Sequence, residues 1–478
     1  MRKRILAVAV AAATLASGAN AAGFYLKELS ITGQGRAFAG EVTNTEDASA
    51  VYFNPAATAY MTESNTLSFG AHALAPNSTL KNTGSLVTNG TNTNLAASNA
   101  ETKNPYGTSL IPNIYATLPL DNGAVLGFGV NNPFGLSNKY EKDSFVRYDS
   151  IETELKTPSL NFSVAKHVSD KLSIGFGIEA QKGEAVLESA LPLSAGISGF
   201  VPGGSSNTYS QGDIIGDINS RLTAEGSFEL APFFGLTYAV AEYTSLGFSY
   251  RAGIDHKANG SVLLTPNTSS EADGDAFEAT ITSLALGQGA GASAPAIALA
   301  ARNAGSYTIE NASAELSTPS IATVGLKHSI NDQTRVYADA TYYGWSAFDD
   351  IKITTSVETL SPQKYKDTIS IGLGMEHDYS ASFTGRAGIM IDPTPTNDDY
   401  RSARTPDADR LWLAVGGSYS VLDNMSLDFA FTHIMLDDVV LDQAKALTLA
   451  GTPIGQANIK ASGSPDVNIL SLGLRYKF

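Results

Sequence analysis

Residue types that carry catalysis are few in this chain and lie in no catalytic pattern. None of the six histidines belongs to a metal-binding H-E-x-x-H sequence, and no G-x-S-x-G nucleophile elbow occurs. The chain has no cysteine, which excludes thiolate zinc sites and cysteine nucleophiles. We therefore expect no enzymatic activity, no cofactor and no metal centre.

Carboxylates form two clusters that could in principle bind a cation, because oxygen ligands suit Ca²⁺. Their spacing departs from the usual calcium-loop pattern, so solvated loops are the simpler interpretation. The clusters consist of Glu271, Asp273 and Asp275, and of Asp398, Asp399, Asp407 and Asp409.

The beginning of the chain has the order of a secretory signal peptide. A basic start at positions 2–4 precedes an apolar stretch and an A-x-A cleavage site at 19–21. We expect residues 1–21 to be removed and the mature chain to begin at Ala22. The formal net charge of −16 then becomes −19, because the three basic residues leave with the signal. Such an acidic chain argues against a nucleic-acid partner, which favours basic patches.

Alternation of apolar and polar residues with a period of two dominates the rest of the chain. Leu172, Ile174, Phe176 and Ile178 fall on one face of a strand, with serine and glycine between them. No mature segment has 18 consecutive apolar residues, so membrane-spanning helices are not expected. The chain ends in the same alternation, up to Phe478. This ending is typical of the strand signal read by the outer-membrane barrel-assembly machinery.

About fourteen such strands follow one another, and the gaps between them alternate between short and long. This asymmetry is typical of bacterial outer-membrane barrels, which have short periplasmic turns and long outer loops. Because lipid supplies no hydrogen bonds, the sheet must close. We predict an all-β fold, a transmembrane antiparallel β-barrel of about 14 strands over residues 64–478. The predicted strands are 64–76, 108–120, 124–135, 153–167, 171–188, 221–239, 244–263, 306–328, 334–355, 363–378, 381–393, 407–421, 425–440 and 466–478.

Residues 22–63 precede the first predicted strand and do not follow the barrel pattern. Glycine and proline punctuate the segment, and its aromatic residues argue against a disordered periplasmic tail. A wide barrel left empty is an open pore. We therefore predict that this segment is an N-terminal hatch, or plug, inside the lumen.

Two of the predicted outer loops are low in complexity. Residues 77–104 are rich in asparagine, threonine and serine, which predicts a solvated loop. Residues 272–304 include the alanine-rich stretch 294–301. That stretch is compatible with a short apolar helix over the barrel mouth and equally with a flexible loop.

Several short motifs lie in order along the mature chain. They are Ala-Gly-Phe at 22–24, Gly33-x-Gly35-Arg36-Ala37-x-x-Gly40, Asn54-Pro55-Ala56, the segment from Trp345 to Lys352, and Pro406-Asp407-Ala408-Asp409-Arg410 with the residues up to Gly416. Together they resemble the long-chain fatty acid outer-membrane transporter family (FadL-type), which also includes aromatic-hydrocarbon transporters. The outer loops match no family pattern.

The resemblance implies a barrel with the hatch inside it, in agreement with the independent strand count. It also implies that substrate diffuses passively to a pocket and leaves sideways at a kink in the third strand when the hatch moves. Asn131, Asn132, Pro133 and Gly135 are where that kink is expected, because proline lacks the N–H of a ladder bond and glycine marks a bend. Asn54-Pro55-Ala56 is the expected hatch motif.

The resemblance assigns substrate binding to Lys352, with Phe24, Trp345 and Phe348 beside it. An ammonium inside a mostly apolar lumen would pair with a fatty carboxylate. A family arginine after the fifth strand has no counterpart here, since 184–189 offers none. An uncharged hydrocarbon needs no second cation, so this departure weakens the assignment to fatty acids.

We expect an outer-membrane transporter of hydrophobic molecules, with long-chain fatty acids as the first candidate substrate. Its partners would be these small molecules, outer-membrane lipid and lipopolysaccharide, and the assembly machinery during biogenesis, and we expect a monomer. An aromatic-hydrocarbon channel of the same family is the nearest alternative. An outer-membrane lipid hydrolase and a general porin are alternatives of other classes, and the long N-terminal segment argues against a porin.

Overall fold

The computed structural model describes residues 23–88, 93–96, 99–194, 214–268, 270–287, 290, 293–355, 358–449 and 452–478. The predicted signal peptide and Ala22 lie outside the described residues. None of the helices in these ranges is both long and apolar enough to cross a membrane.

Within the ranges given above, fourteen antiparallel strands form one closed barrel, as predicted. The strands are β1 (Thr66–Asn77), β2 (Ser109–Pro119), β3 (Ala124–Asn131 and Gly135–Lys139), β4 (Glu152–Lys156 and Ser159–His167), β5 (Leu172–Ser194), β6 (Ile214–Ala241), β7 (Thr244–Arg251 and Asp255–Pro266), β8 (Tyr307–Ser317 and Ile321–Ser329), β9 (Thr334–Tyr343 and Asp350–Thr354), β10 (Glu358–Pro362 and Thr368–Ser380), β11 (Phe383–Asp392), β12 (Arg410–Leu422), β13 (Met425–Leu436) and β14 (Asp466–Lys477). In β1, Leu67 lies opposite Ala116 of β2 and Tyr476 of β14, which closes the sheet. A closed sheet leaves no edge strand exposed to lipid.

Alternation along each strand separates a lipid face from a luminal face. In β10, Ile369 and Ile371 are 54% and 56% exposed, whereas Ser370 between them is buried. The apolar outer face needs no polar partner in lipid, and the small or polar luminal face leaves room inside the barrel.

A five-stranded sheet covers part of the outer side, where the sequence predicts only loops. Its strands are Lys81–Asn82, Leu86–Thr88, Thr93–Ala96, Val439–Leu449 and Thr452–Gly463. The prediction that 77–104 is merely solvated is wrong, because Leu80 and Val87 are buried against Leu441 and Ile459 of the 439–463 hairpin. Apolar residues at alternate positions of the hairpin give these loops a core of their own.

The second low-complexity loop forms helices α1 (Glu271–Gly287) and α2 (Ala294–Ala304). Phe277 and Ile281 pack with Leu222 of β6 and Val262 of β7, so the helices lie on the luminal faces of these strands. The Asp275 carboxylate is held within the protein, where it pairs with Arg302 at 2.6 Å.

The residues before β1 fill the lumen as a compact segment of short turns. Its helical turns are Ile31–Gln34, Glu41–Thr43, Ala50–Phe53 and Pro55–Tyr60, and almost every side chain is buried. We call residues 23–61 the luminal segment. Luminal glycines of the wall allow its close approach: a Cβ added to Gly388 of β11 would lie 2.1 Å from the backbone of Arg36.

Candidate functional site

The third strand is interrupted where the sequence predicts it, and the wall is incompletely paired beyond that point. On the periplasmic side, β3 pairs with both neighbours, up to Val130 opposite Ile114 of β2. On the outer side, Gly135–Lys139 pairs with β4. Towards β2, the described residues give this piece a single backbone hydrogen bond, from Lys139 N to the Pro105 carbonyl at 2.9 Å. The wall therefore has a gap in its hydrogen bonding between β2 and the outer part of β3.

The two asparagines of the interruption have structural roles. Asn132 Oδ1 accepts a hydrogen bond from Thr157 N at 2.8 Å, and Asn131 Nδ2 donates to the Tyr115 hydroxyl at 3.0 Å. Both asparagines are buried. Because buried amides need partners, these bonds fix the conformation of the interrupted strand.

The first residues of the luminal segment lie along the gap as a short extra strand, which we call the strip (residues 23–27). The Phe24 carbonyl accepts from Gly135 N at 2.8 Å, and Leu26 N donates to the Pro133 carbonyl at 2.8 Å. Tyr25 lies opposite Phe134 in antiparallel pairing. The strip thus provides backbone partners to the interrupted strand from inside the lumen.

Three of the four predicted substrate residues meet in one aromatic cluster beside the gap. The Phe24 ring lies 4.8 Å from Trp345, 4.9 Å from Phe348 and 5.8 Å from Phe134, measured between centroids. Tyr365 closes the cluster, 5.6 Å from Trp345. Phe24 therefore belongs to the strip by its backbone and to the barrel's aromatic core by its side chain.

Gly23 and Asp407 position the start of the strip. Gly23 has φ +63°, and a Cβ there would lie 2.9 Å from the Trp345 ring. Its N–H donates to Asp407 Oδ2 at 2.9 Å, and Asp407 is paired with Arg410. Both charged residues belong to the motif at 406–416, so this motif helps to hold the strip.

Lys352 is not part of this cluster, and the prediction that it faces the lumen is wrong. Its Nζ lies 2.9 Å from Glu358 and 3.8 Å from Glu315, and its side chain is 36% exposed. Ile351 and Ile353, on the opposite face of the same strand, pack towards the interior. Alternation therefore turns Lys352 to the outer face of the wall, where two carboxylates already neutralise it.

The Asn54-Pro55-Ala56 motif fastens the luminal segment to β5 and β6. Asn54 Nδ2 donates to the Val42 carbonyl at 2.6 Å and to the Leu236 carbonyl of β6 at 3.0 Å. Its Oδ1 accepts from Ala56 N at 3.1 Å and so caps the turn that Pro55 begins. A Cβ on Gly235 would lie 1.8 Å from Asn54 Oδ1. The motif therefore fits a recess that only glycine can provide.

A buried ionic network fastens the opposite side of the luminal segment. Arg36 donates to Glu376 of β10 at 2.6 Å and to Glu41 at 2.8 Å. Glu376 also accepts from Arg386 of β11 at 2.5 Å and from the Tyr337 hydroxyl of β9 at 2.6 Å. Removing one member of such a network leaves a buried charge without compensation, which is strongly destabilising.

A cavity of about 50 Å³ lies between the luminal segment and the luminal faces of β6 to β11. Its walls are largely aromatic and apolar, and include Tyr25, Phe38, Phe53, Phe233, Ile321 and Met390. In the described part of the chain two cations line it, Lys27 of the strip and Arg251 of β7. A lining of this composition, apolar and aromatic with a few polar groups, is typical of sites for small apolar ligands.

Glu28, which follows the strip, is completely buried with no hydrogen-bond partner for either carboxylate oxygen in the described part of the protein. Burial disfavours the charged form and raises the pKa of Glu28 to about 7, although Arg410 and Lys27 oppose the shift. The carboxyl group is therefore neutral in mildly acidic solution and titrates near pH 7.

Sequence reasoning missed Lys27, Arg251 and the luminal glycines such as Gly235. The luminal glycines could have been identified from the sequence, because glycine within an alternating strand marks a close approach of another backbone. Lys27 could not have been identified in this way, because it lies in a segment without periodicity.

Comparison with known proteins agrees with this architecture. Residues 12–478 match the family model described as outer membrane protein transport protein (OMPP1/FadL/TodX). The chain therefore belongs to this family and is an outer-membrane β-barrel.

Individual relatives cover nearly the whole chain. The long-chain fatty acid transport protein of Escherichia coli (strain K12) is 26% identical, over 91% of this chain and 93% of that protein. A Pseudomonas aeruginosa FadL homologue of known structure superimposes with a TM-score of 0.77 at 23% identity, covering 96% of this chain and all of the homologue. The Pseudomonas putida toluene transporter TodX gives a TM-score of 0.58 at 17% identity, over 90% of this chain and 94% of that one.

Proposed function

We propose that the protein is a channel for passive uptake of hydrophobic molecules that releases them sideways through the wall. In this proposal 64–478 is the barrel, 22–63 is the hatch, and the gap between β2 and β3 is the exit. One observation carries it: the interrupted strand is partnered by Phe24–Leu26, which belong to the luminal segment and not to the wall. Withdrawal of the strip would open the wall without breaking any strand pair of the barrel.

A sideways exit suits an apolar cargo. Transfer of hydrocarbon to water costs about 0.8 kcal/mol per CH₂, or roughly 12 kcal/mol for a sixteen-carbon chain. The outer wall beside the gap is apolar, with Phe128, Ile114 and Leu160 packed around Val130. A molecule that leaves here passes from the lumen to an apolar surface and avoids the aqueous periplasm.

Long-chain fatty acids are the substrates we propose first, because curated relatives that match over about nine tenths of the chain are long-chain fatty acid transport proteins. Aromatic hydrocarbons are the second candidate. The cluster of Phe24, Trp345 and Phe348 favours flat apolar molecules as well as chains, and a toluene transporter shares the fold.

A reversible disulfide across the gap tests the exit. The chain has no cysteine, and Tyr25 and Phe134 are directly paired, at a separation that suits a disulfide. In cells carrying Tyr25→Cys with Phe134→Cys, we expect uptake of a radiolabelled fatty acid to fall at least tenfold on oxidation. Reductant should restore it.

The matched control joins two strands away from the gap, with Tyr419→Cys and Leu427→Cys, which pair between β12 and β13. Its uptake should not depend on redox state. Equal uptake by the oxidised and reduced forms of the Tyr25/Phe134 variant would refute the exit.

A further inference from the structure

The two cations of the internal cavity differ in how completely neighbouring groups neutralise their charge. Arg251 forms an ion pair with Glu179 and donates to the Tyr52 carbonyl at 2.8 Å. Its guanidinium carbon lies 4.0 and 4.2 Å from the ring centroids of Tyr52 and Phe233. Its charge is neutralised, and its guanidinium contacts two aromatic rings. Arg251 is therefore committed to the structure of the lumen.

Lys27 is as deeply buried but has weaker partners. Its Nζ donates to Ser370 Oγ at 3.0 Å, approaches Met390 Sδ at 3.1 Å and lies 5.1 Å from the centroid of the Tyr343 ring. Among the described residues, the carboxylate oxygen paired with it belongs to Asp392 and lies 3.6 Å away, beyond hydrogen-bond distance. A thioether is a weak acceptor, so the ammonium keeps capacity for an anionic oxygen.

The surroundings of Lys27 define what kind of anion could reach it. The cavity that Lys27 lines also has Phe38, Phe53, Phe233 and Ile321 in its walls, which favour hydrocarbon. The carboxyl groups of Glu41 and Asp339 line it as well. A ligand that satisfies both the ammonium and these walls has a single anionic end and an apolar body.

We propose that Lys27 binds the carboxylate end of an amphiphilic monocarboxylate inside the cavity, with its hydrocarbon against the aromatic wall. This inference rests on the proposed function and names the residue that separates acids from neutral hydrocarbons. Because Lys27 belongs to the strip, the headgroup would act directly on the segment that lies along the wall gap.

Asp392 provides a second way to test the proposal. Both of its oxygens are buried with no hydrogen-bond partner in the described residues, so Asp392 depends on Lys27 for charge compensation and competes with a ligand for the ammonium. A ligand carboxylate must share the ammonium with it. Removing its charge should free Lys27 for the ligand.

The test compares hexadecanoic acid with hexadecanol, in equilibrium binding to the purified full barrel in lipid nanodiscs. We expect Lys27→Met to weaken binding of the acid at least tenfold and to change binding of the alcohol less than twofold. Lys27→Arg should restore acid binding, and Asp392→Asn should tighten it several-fold. Lys352→Met is the matched control, a lysine with carboxylate partners on the outer face, and should change neither.

The outcomes separate this inference from the proposed function. Wild-type protein that binds neither compound would contradict hydrophobic uptake itself. Binding of both by wild type, with the acid unaffected by Lys27→Met or with acid and alcohol weakened equally, would overturn only the role of Lys27. Failure of Lys27→Arg to rescue the acid would likewise count against a charge-based role.

Discussion

The strip and the remainder of the luminal segment are held by different kinds of interaction. The body of the segment, Ile31–Tyr60, is fixed by the buried pairing of Arg36 with Glu376 and by Asn54 seated against Gly235. The strip is held by two backbone hydrogen bonds to the interrupted strand and by the ring of Phe24. Gly23 N also donates to Asp407, and Lys27 has a carboxylate partner 3.6 Å away, beyond hydrogen-bond distance. The body is anchored by ion pairs at hydrogen-bond distance and by close fit, whereas the strip has one longer ion pair and hydrogen bonds that other groups can replace.

The difference indicates which part can move during transport. Breaking a buried ion pair costs about 3–5 kcal/mol, and a close-packed recess tolerates no gradual shift. A backbone hydrogen bond contributes only about 1 kcal/mol net when water or another group can replace it. Movement of the strip alone therefore costs less than movement of the whole segment, and the body can stay as a plug while the wall opens.

The largest expected effect comes from removing the recess that holds the body. In Gly235→Val the new side chain occupies the position of Asn54 Oδ1, so the Asn54-Pro55-Ala56 motif cannot fit into its recess. We expect the barrel to assemble but its ion conductance in planar bilayers to rise by an order of magnitude or more, because an unplugged lumen conducts.

Gly107→Val is the control for this substitution, since a Cβ at Gly107 meets nothing within 4 Å. It should conduct like the wild type. If Gly235→Val also stayed closed, the luminal segment would not be a plug held at this recess.

A more local effect, confined to the strip, is expected from Phe24→Ala. Truncating a buried phenylalanine costs about 3–5 kcal/mol of stability, and here the substitution weakens the attachment of the strip. Hydrogen exchange at the Leu26 and Gly135 amides should accelerate at least a hundredfold, while the Ala57 amide, bonded to the Asn54 carbonyl in the body, stays protected. Equal acceleration at all three amides would show that the strip and the body move together, which would contradict the proposed difference in mobility between them.

The barrel itself was predictable because its signals are local. Alternation of apolar residues, short turns on one side and long gaps on the other are all properties of neighbouring residues, and lipid then forces closure. The interruption at Asn131-Asn132-Pro133 was predictable for the same reason, since proline cannot complete a ladder.

The position of Lys352 was not predictable from its motif, because the face of a strand residue depends on register. A helical turn at Trp345–Ala347 separates the two pieces of β9 and resets the alternation before Asp350. A shift of one residue moves every side chain to the other face. Lys27 was missed for the opposite reason: its environment is created by strands hundreds of residues away, and its neighbours carry no pattern.

The smallest expected effect concerns Glu28, which joins the strip to the body, and it tests whether the strip is poised to open. The pKa of Glu28 is about 7 in the folded protein against an ordinary value of 4.5. The folded state therefore binds the proton more tightly, so this carboxyl favours the seated strip at low pH, and that contribution is lost as pH rises from about 4.5 through 7. The full difference is at most about 3 kcal/mol.

We expect exchange of the Leu26 amide to accelerate between pH 5 and 8 beyond the intrinsic effect of pH. In Glu28→Gln, which stays neutral and nearly isosteric, that excess should vanish. An unchanged pH profile in the Gln variant would assign the sensitivity to another group, and a wild-type profile without any excess would mean that Glu28 does not bias the strip. Either result would leave the wall gap and its backbone partners as described, but would remove protonation from the account of how the strip is released.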